Sequence, residues 1–317
     1  MQAPYAIGID IGGTTTKFGV VNADGNIINQ NIIPTNQFSN VESFIDALCS
    51  ALFPMIEHAG GKNNIAGIGI GAPNGNVYSG AIEYAPNLPW KGIIPLASLL
   101  QEKTGINTKL TNDANAAAVG EMRYGCAKNS QHFIMITLGT GVGSGIVING
   151  KIVVGHDGFA GELGHTIIRP QGRLHPGTGM RGSLEAYASA TGVRETALEL
   201  LDQNISLNSL LRNFPKDQLT SQTVYNCAIQ GDELANEVFE FTGKILGEAL
   251  ANFVMFSSPE MIVLFGGLTK AGDLIMKPTR KYMEENLLPI YKNKVKLEIS
   301  SLKDADAAIL GASALVL

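Results

Sequence analysis

Six short stretches of the chain set residues capable of chemistry at spacings that suit a ligand. In Asp10-Ile11-Gly12-Gly13-Thr14-Thr15-Thr16-Lys17, paired glycines let backbone N–H groups approach an anion, and threonine hydroxyls add donors. A carboxylate ahead of such a loop can hold Mg²⁺ through water, which makes Asp10 the metal candidate. A tight hairpin with threonines chosen for β-propensity explains the same residues equally well. Leu138-Gly139-Thr140-Gly141-Val142-Gly143 repeats the glycine and threonine theme. Neither loop is a Walker A motif. Neither is G-x-G-x-x-G, because after Gly139 and Gly141 the required position is Ser144. Thr111-Asn112-Asp113 precedes an alanine-rich run, where a carboxylate can act as general base toward a hydroxyl. Simple N-capping of a helix accounts for the same pair. Gly161-Glu162-Leu163-Gly164-His165 and Gly182-Ser183-Leu184-Glu185 offer a histidine and two carboxylates of the kind that share hydrogen bonds with polyol hydroxyls. Solvated charges and a structural histidine fit them as well. Gly266-Gly267 either passes beneath a planar ligand such as adenine or makes a packing turn.

Metal chemistry through zinc is not expected. His156, His165 and His175 share one segment, but their spacing matches no helix-borne motif and no cysteine lies near. Cys49, Cys126 and Cys227 are odd in number and far apart, which excludes a disulfide framework.

The elements that must hold these residues read as alternating strands and helices. Tyr5–Asp10, Lys17–Val21 and Ile27–Ile33 are three strands separated by the first Gly/Thr loop and the Asp24-Gly25-Asn26 turn. Phe133–Leu138, Ser144–Ile148 and Lys151–Val154 repeat that plan around the second loop. The two copies lie too far apart for a solenoid and point to two similarly built halves. Helices are predicted near 41–60, 95–104, 112–125, 232–256 and 307–317, the last capped by Lys303-Asp304-Ala305-Asp306. Strands are predicted at 65–70, 108–111 and 261–265, and residues 155–182 are predicted to be mostly loop. This alternation is an α/β pattern with parallel or mixed sheets.

Composition narrows the function classes. At 317 residues the chain suits two domains of roughly 150 residues each. With 23 basic and 28 acidic residues the net charge is −5, which argues against a general nucleic-acid binder. The first residues show no basic n-region or long apolar run, and no stretch approaches the roughly 20 apolar residues of a membrane span. A cytoplasmic protein without a membrane partner is the expectation.

Together the stretches resemble the ROK family of bacterial sugar kinases and sugar-responsive repressors. IGIDIGGTTTKFGVV (7–21), GIGAPNG (69–75), APNLPW (85–90), TNDANAAAVGE (111–121), LGTGVGSGIV (138–147), GELGH (161–165), LEAYASATG (184–192) and VLFGGL (263–268) occur in the family's order. The resemblance implies the actin-like, ribonuclease H-like α/β ATPase fold: two duplicated α/β domains with a cleft between them. The smaller domain would take residues 1–113 plus 304–317, and the larger 114–303. It implies an ATP- and Mg²⁺-dependent kinase acting on the 6-hydroxyl of a hexose, glucose first. N-acetylglucosamine, N-acetylmannosamine and fructose are the alternatives, and a non-catalytic sugar-sensing regulator is a further one. Asp113 would be the catalytic base. Asn87, Asn112, Glu162, His165 and Glu185 would bind sugar. Asp10, Gly12, Gly13, Thr14, Thr15, Lys17, Thr140 and Gly141 would serve the ATP phosphates and Mg²⁺, with Gly266 and Gly267 near adenosine. Family repressors carry an N-terminal winged helix-turn-helix domain, for which a first strand near Tyr5 leaves no room. Many members also carry a cysteine-rich zinc motif between GELGH and LEAYAS. Here that stretch reads Gly172-Arg173-Leu174-His175-Pro176-Gly177-Thr178-Gly179-Met180-Arg181-Gly182-Ser183, without cysteine. Oligomeric state is not readable from the chain, a homodimer being the commonest default.

Overall fold

Residues 3–317 are described in a computed structural model. They form two compact units, one of residues 3–131, 145–161 and 300–317, the other of 132–144 and 162–299.

In the first unit β1 (Tyr5–Ile11), β2 (Thr15–Asn22) and β3 (Ile27–Pro34) make an antiparallel meander. β3 is the sheet edge, and its exposed Asn29, Gln30 and Asn31 keep that edge polar. α1 (Val41–His58) opens at Asn40, whose side chain accepts from the Ser43 N–H at 2.9 Å. Its residues Phe44, Ile45, Leu48, Leu52 and Met55 recur at helical spacing and are buried in the unit's core. β4 (Ile65–Ala72) pairs parallel with β1. A small antiparallel sheet follows, made of β5 (Gly75–Asn76), β6 (Ala81–Glu83) and β7 (Ile93–Ile94). α2 (Leu96–Thr104) stops at Gly105, which takes the left-handed conformation. β8 (Thr108–Asn112) then pairs parallel with β4, and α3 (Asp113–Tyr124) leaves its end. The strand order is β3-β2-β1-β4-β8.

A second sheet is built on β9 (Phe133–Leu138), with β10 (Val142–Ile148) and β11 (Lys151–Ile152) continuing it. α4 (Glu185–Ala188), α5 (Ala190–Gln203), α6 (Ser221–Ala228) and α7 (Glu233–Ser257) follow a long loop. β12 (Met261–Phe265) lies parallel to β9, and after α8 (Asp273–Asn286) comes β13 (Lys296–Ile299), parallel to β12. This order, β11-β10-β9-β12-β13, repeats that of the first sheet strand for strand. α7 is the central helix, with Val238, Phe239, Ile245, Leu246, Leu250 and Val254 essentially inaccessible. No helix of the described residues is long and apolar enough to cross a membrane.

The last helix, α9 (Asp304–Ser313), lies on the first sheet. Glycines make the contact possible. A Cβ on Gly8 or Gly69 would stand 1.9 Å from the Ile309 carbonyl oxygen or 1.8 Å from that of Ala312. α9 starts ahead of the expected 307, and Lys303 at its N-cap makes no side-chain bond. α3, placed with the larger domain in the sequence reading, packs on α9 and β4 and groups with the first unit. Residues 145–161 group there as well. β5–β7 and β13 are short strands that hydrophobic patterning does not announce.

Candidate functional site

In the first unit the carboxyl ends of three parallel strands converge. Register aligns Asp10 of β1 with Gly71 of β4, and Gly71 with Thr111 of β8. Gly71 has no side chain to separate its neighbours: a Cβ there would lie 3.6 Å from the Asp113 Cα. Asp10 and Asp113 stand close enough for their charges to interact. Burial, then the Asp113 charge, push the Asp10 carboxyl up to about 6, against the lowering pull of Lys17, its cross-strand partner. Asp113 keeps an accessible face, yet protein atoms crowd its carboxylate, and that loss of water raises its pKa. Backbone hydrogen bonds, including one from Ala114 N–H at 2.8 Å, oppose the rise.

Asn112 caps the helix at this junction, although Asp113 Oδ1 also accepts from the same Ala114 N–H. Asn112 is the N-cap, its Oδ1 accepting from Ala114 N–H at 2.8 Å and from Asn115 N–H at 3.4 Å. Its amide NH₂ is left for another acceptor. Asp113 is not needed as the cap.

The first Gly/Thr loop is a tight turn in which Gly12 N–H donates to the Thr15 carbonyl at 3.0 Å. Gly13 lies against Asn87, since a Cβ there would meet the Asn87 carbonyl oxygen at 2.5 Å. Asn87 itself is exposed, as is Thr14. Thr16, one of three hydroxyls in the sequence motif, is buried and shares a 2.8 Å hydrogen bond with Thr35. It holds the hairpin, because alternation along β2 turns it inward. Thr14 and Thr15 are the ones left to meet a ligand.

The second unit supplies a different set. In the second loop Gly139 N–H donates to the Gly141 carbonyl at 3.0 Å, and Gly143 N–H to Thr137 Oγ1 at 3.1 Å. Val142 N–H donates to Glu185 Oε2 at 2.7 Å. Thr140 and Gly141 form the loop's tip. Glu185, the first residue of α4, folds over Gly141, where a Cβ would stand 2.4 Å from its Oε2. Its Oε1 meets His175 Nε2 at 3.1 Å. Glu162 is exposed, and its Oε2 lies 3.8 Å from His165 Nε2. Gly266 has φ 105, and a side chain there would strike the Leu138 carbonyl at 2.6 Å, so the chain turns sharply out of β12. Beyond it a cavity of about 200 Å³ opens between Gln222, Tyr225, Phe239, Gly267, Leu268 and Lys270.

His175 and Arg173 carry more of this architecture than the sequence suggested. Arg173 donates to the carbonyls of Ala186 (2.7 Å) and Gly192 (3.1 Å) and to Thr196 Oγ1 (3.0 Å), and pairs with Glu199. Its guanidinium lies 4.6 Å from the Tyr187 ring centroid, and its own N–H donates to the Tyr187 hydroxyl at 2.7 Å. The Gly172-Arg173 pair was the available signal.

Two implied metals meet different surroundings. Asp10 and Asp113, two neighbouring carboxylates offset by a single lysine, suit a divalent cation. Around the cysteine-free loop, His165 Nδ1 and Ser183 Oγ are buried without a hydrogen-bond partner. One imidazole nitrogen and one neutral hydroxyl are not the thiolate-rich set that structural zinc takes. Among the described residues no group of three or more histidine, cysteine or acidic side chains is arranged to hold an ion. These residues do not fit zinc.

Two sheets of one strand order, each opening with a strand–Gly/Thr loop–strand turn, define an actin-like ATPase fold. The ROK family profile matches residues 6–317, and the chain belongs to that family. It is 36% identical over 318 residues to a glucokinase of Halalkalibacterium halodurans, covering 100% of this chain and 96% of the relative. A Thermotoga maritima glucokinase is 32% identical over 98% of this chain and 96% of its own length. The solved structure of a ROK family glucokinase from Streptomyces griseus in complex with glucose and AMPPNP matches with a TM-score of 0.79. The two are 31% identical over 98% of each chain.

Proposed function

We propose that the chain is an ATP-dependent hexose kinase that phosphorylates the 6-hydroxyl of glucose. One observation carries the mechanism: Asp113, not used as the helix cap, has a crowded carboxylate whose pKa is raised toward neutrality. A base with raised proton affinity accepts the hydroxyl proton as the oxygen attacks the γ-phosphorus. Asn112 presents its free amide to a sugar hydroxyl beside that base. Asn87, Glu162, His165 and Glu185 are assigned the remaining hydroxyls, where acceptors and shared imidazole protons suit a polyol.

The phosphates fall to the amides and hydroxyls of Gly12, Gly13, Thr14 and Thr15 and to Thr140 and Gly141, with Lys17 offsetting charge near Asp10. Gly12 acts through the turn it closes, because its N–H is already engaged. Mg²⁺, held through water by Asp10, would neutralise charge on the transferring phosphoryl group. The cavity beside Gly267 has the Tyr225 ring at its wall to meet a purine. Catalysis is then positioning and electrostatics, as phosphoryl transfer requires.

The test is ADP release with ATP·Mg²⁺ against glucose, mannose, fructose, N-acetylglucosamine and N-acetylmannosamine, beside Asp113→Asn. Turnover on glucose that the variant loses, while calorimetry still detects glucose binding, is the expected result. Binding without turnover on every sugar in the wild-type protein refutes the kinase reading.

A further inference from the structure

Residues 172–183 run without cysteine, yet they end on Ser183 and Leu184, directly ahead of Glu185, a residue that the kinase reading assigns to the sugar. A carboxylate at the start of a four-residue helix has little of its own to fix its rotamer. One hydrogen bond and one ion-pair contact do so here. Val142 N–H donates to Oε2 at 2.7 Å, and His175 Nε2 meets Oε1 at 3.1 Å. The side chains are well covered, His175 at 19% exposure and Glu185 at 12%, so water competes weakly for the contact.

The imidazole is itself anchored on both sides. Nε2 meets the Glu185 carboxylate, and Nδ1 shares a 3.0 Å hydrogen bond with Thr178 Oγ1. Met180 N–H in turn reaches Thr178 Oγ1 at 3.3 Å. His175 N–H donates to the Met180 carbonyl at 2.8 Å, which closes the loop on itself. Arg173 then ties this loop to α5 through Thr196 and Glu199. The chain Met180–Thr178–His175–Glu185–Val142 thus runs without a break from a surface loop to the base of the Gly139–Gly143 turn.

We infer that His175 is a positioning residue for the sugar: it holds the Glu185 carboxylate through the Nε2–Oε1 contact, with Thr178 anchoring the other ring nitrogen and no metal taking part. The inference rests on the hexose kinase reading for the role of Glu185. His175 touches neither phosphate loop directly, and the Val142 bond uses the other carboxylate oxygen. Removing the imidazole therefore acts on sugar affinity rather than on ATP.

The experiment is steady-state kinetics with glucose and ATP for the wild type, His175→Ala, His175→Gln and Thr178→Val, each before and after dialysis against a strong chelator with Mg²⁺ restored. Losing a polar contact to a carboxylate should raise the glucose KM about tenfold or more in His175→Ala, with the ATP KM changed less than about twofold. Glutamine, whose Nε2 can donate from nearly the same place, should restore the glucose KM to within about threefold of wild type. Thr178→Val should shift it in the same direction as His175→Ala by about two- to fivefold. Chelation should leave the wild-type glucose KM unchanged. An active wild type with an unaltered glucose KM in both His175→Ala and Thr178→Val overturns the inference. So does equal damage to both KM values without rescue by glutamine, or a glucose KM that collapses on chelation and returns with zinc. A wild type inactive on every hexose removes the kinase reading itself, a result no variant is needed to see. If the alanine variant does not fold, the glutamine and Thr178→Val variants still decide the matter.

Discussion

Replacing Asp10 with asparagine should make the protein more stable and less active at once. The folded environment raises this carboxyl from 3.8 to about 6, through burial first and the neighbouring Asp113 charge second. A group bound more tightly by protons in the folded state stabilises the fold only while protonated. That contribution is complete below 3.8 and is lost as the pH rises through about 6. At pH 8 the charged carboxylate therefore costs the native state up to about 3 kcal/mol, each pKa unit being worth about 1.4 kcal/mol. Asparagine keeps the shape and must itself be desolvated, so a gain of about 2 kcal/mol is the expectation. For a unit of this size that is a rise in melting temperature of about 4–8 °C at pH 8. Thermal melts with EDTA present, so that no divalent cation masks the repulsion, would be run at pH 8 and pH 4.5. The gain should be largest at pH 8 and shrink at pH 4.5, where the wild-type carboxyl is protonated. Lys17→Met should do the opposite at pH 8, since the lysine lowers the Asp10 pKa and so supports the charged form. An Asp10→Asn protein that melts no higher than wild type at pH 8, or gains equally at both pH values, refutes the electrostatic reasoning.

Other predictions follow from single sites. The acid limb of kcat/KM should fall above the ordinary carboxylate range, because burial raises Asp113 and a base works only when deprotonated; a limb near 4 in a pH–rate profile would contradict this. Burial, the charge of Glu121 and its hydrogen bond push the Cys126 thiol up to about 12, so at pH 8 it should react with a thiol reagent about a thousandfold more slowly than a free cysteine. Cys49 and Cys227 are buried, and all three should titrate promptly only in denaturant. Arg173→Met should lower stability by about 3 kcal/mol in chemical denaturation, and Arg173→Lys should recover little, because lysine lacks the fork that reaches three acceptors and two carboxylate oxygens.

Much of the first half-site was legible in order along the chain, and its reasons are local. Asn112 caps because asparagine ahead of an alanine-rich run does so in almost any context, and β1, β2 and β3 pair because the turns between them are short. What the sequence did not disclose depends on partners far along the chain. Thr16 reads like its two neighbours until Thr35 is seen to bury it. His175 reads as a stray zinc candidate until Glu185 is placed against it. The grouping of α3 with the first unit follows from α9, whose arrival from the other end of the chain no spacing predicts.

The repeated strand order explains how one scaffold came to hold two kinds of chemistry. In each sheet the central strand runs into a Gly/Thr turn and is flanked by a parallel strand reached through helix. In the first sheet the ends of those strands carry Asp10 and the Asn112-Asp113 pair, side chains proposed to hold charge and move a proton. In the second the matching strand β12 ends in Gly266-Gly267, and the loop after β9 reaches its carboxylate only through Glu185, brought in by α4. Glycine at β12 is imposed by backbone, since any side chain at Gly266 would strike the Leu138 carbonyl. Carboxylates at β1 and β8 are tolerated despite their cost because Gly71 between them leaves room and Lys17 offsets part of the charge. On the proposed roles, the first sheet accepts instability at the strand end that carries the base, and the second removes side chains where the nucleotide would lie. That division is what a kinase with one catalytic base and one nucleotide requires of a duplicated fold.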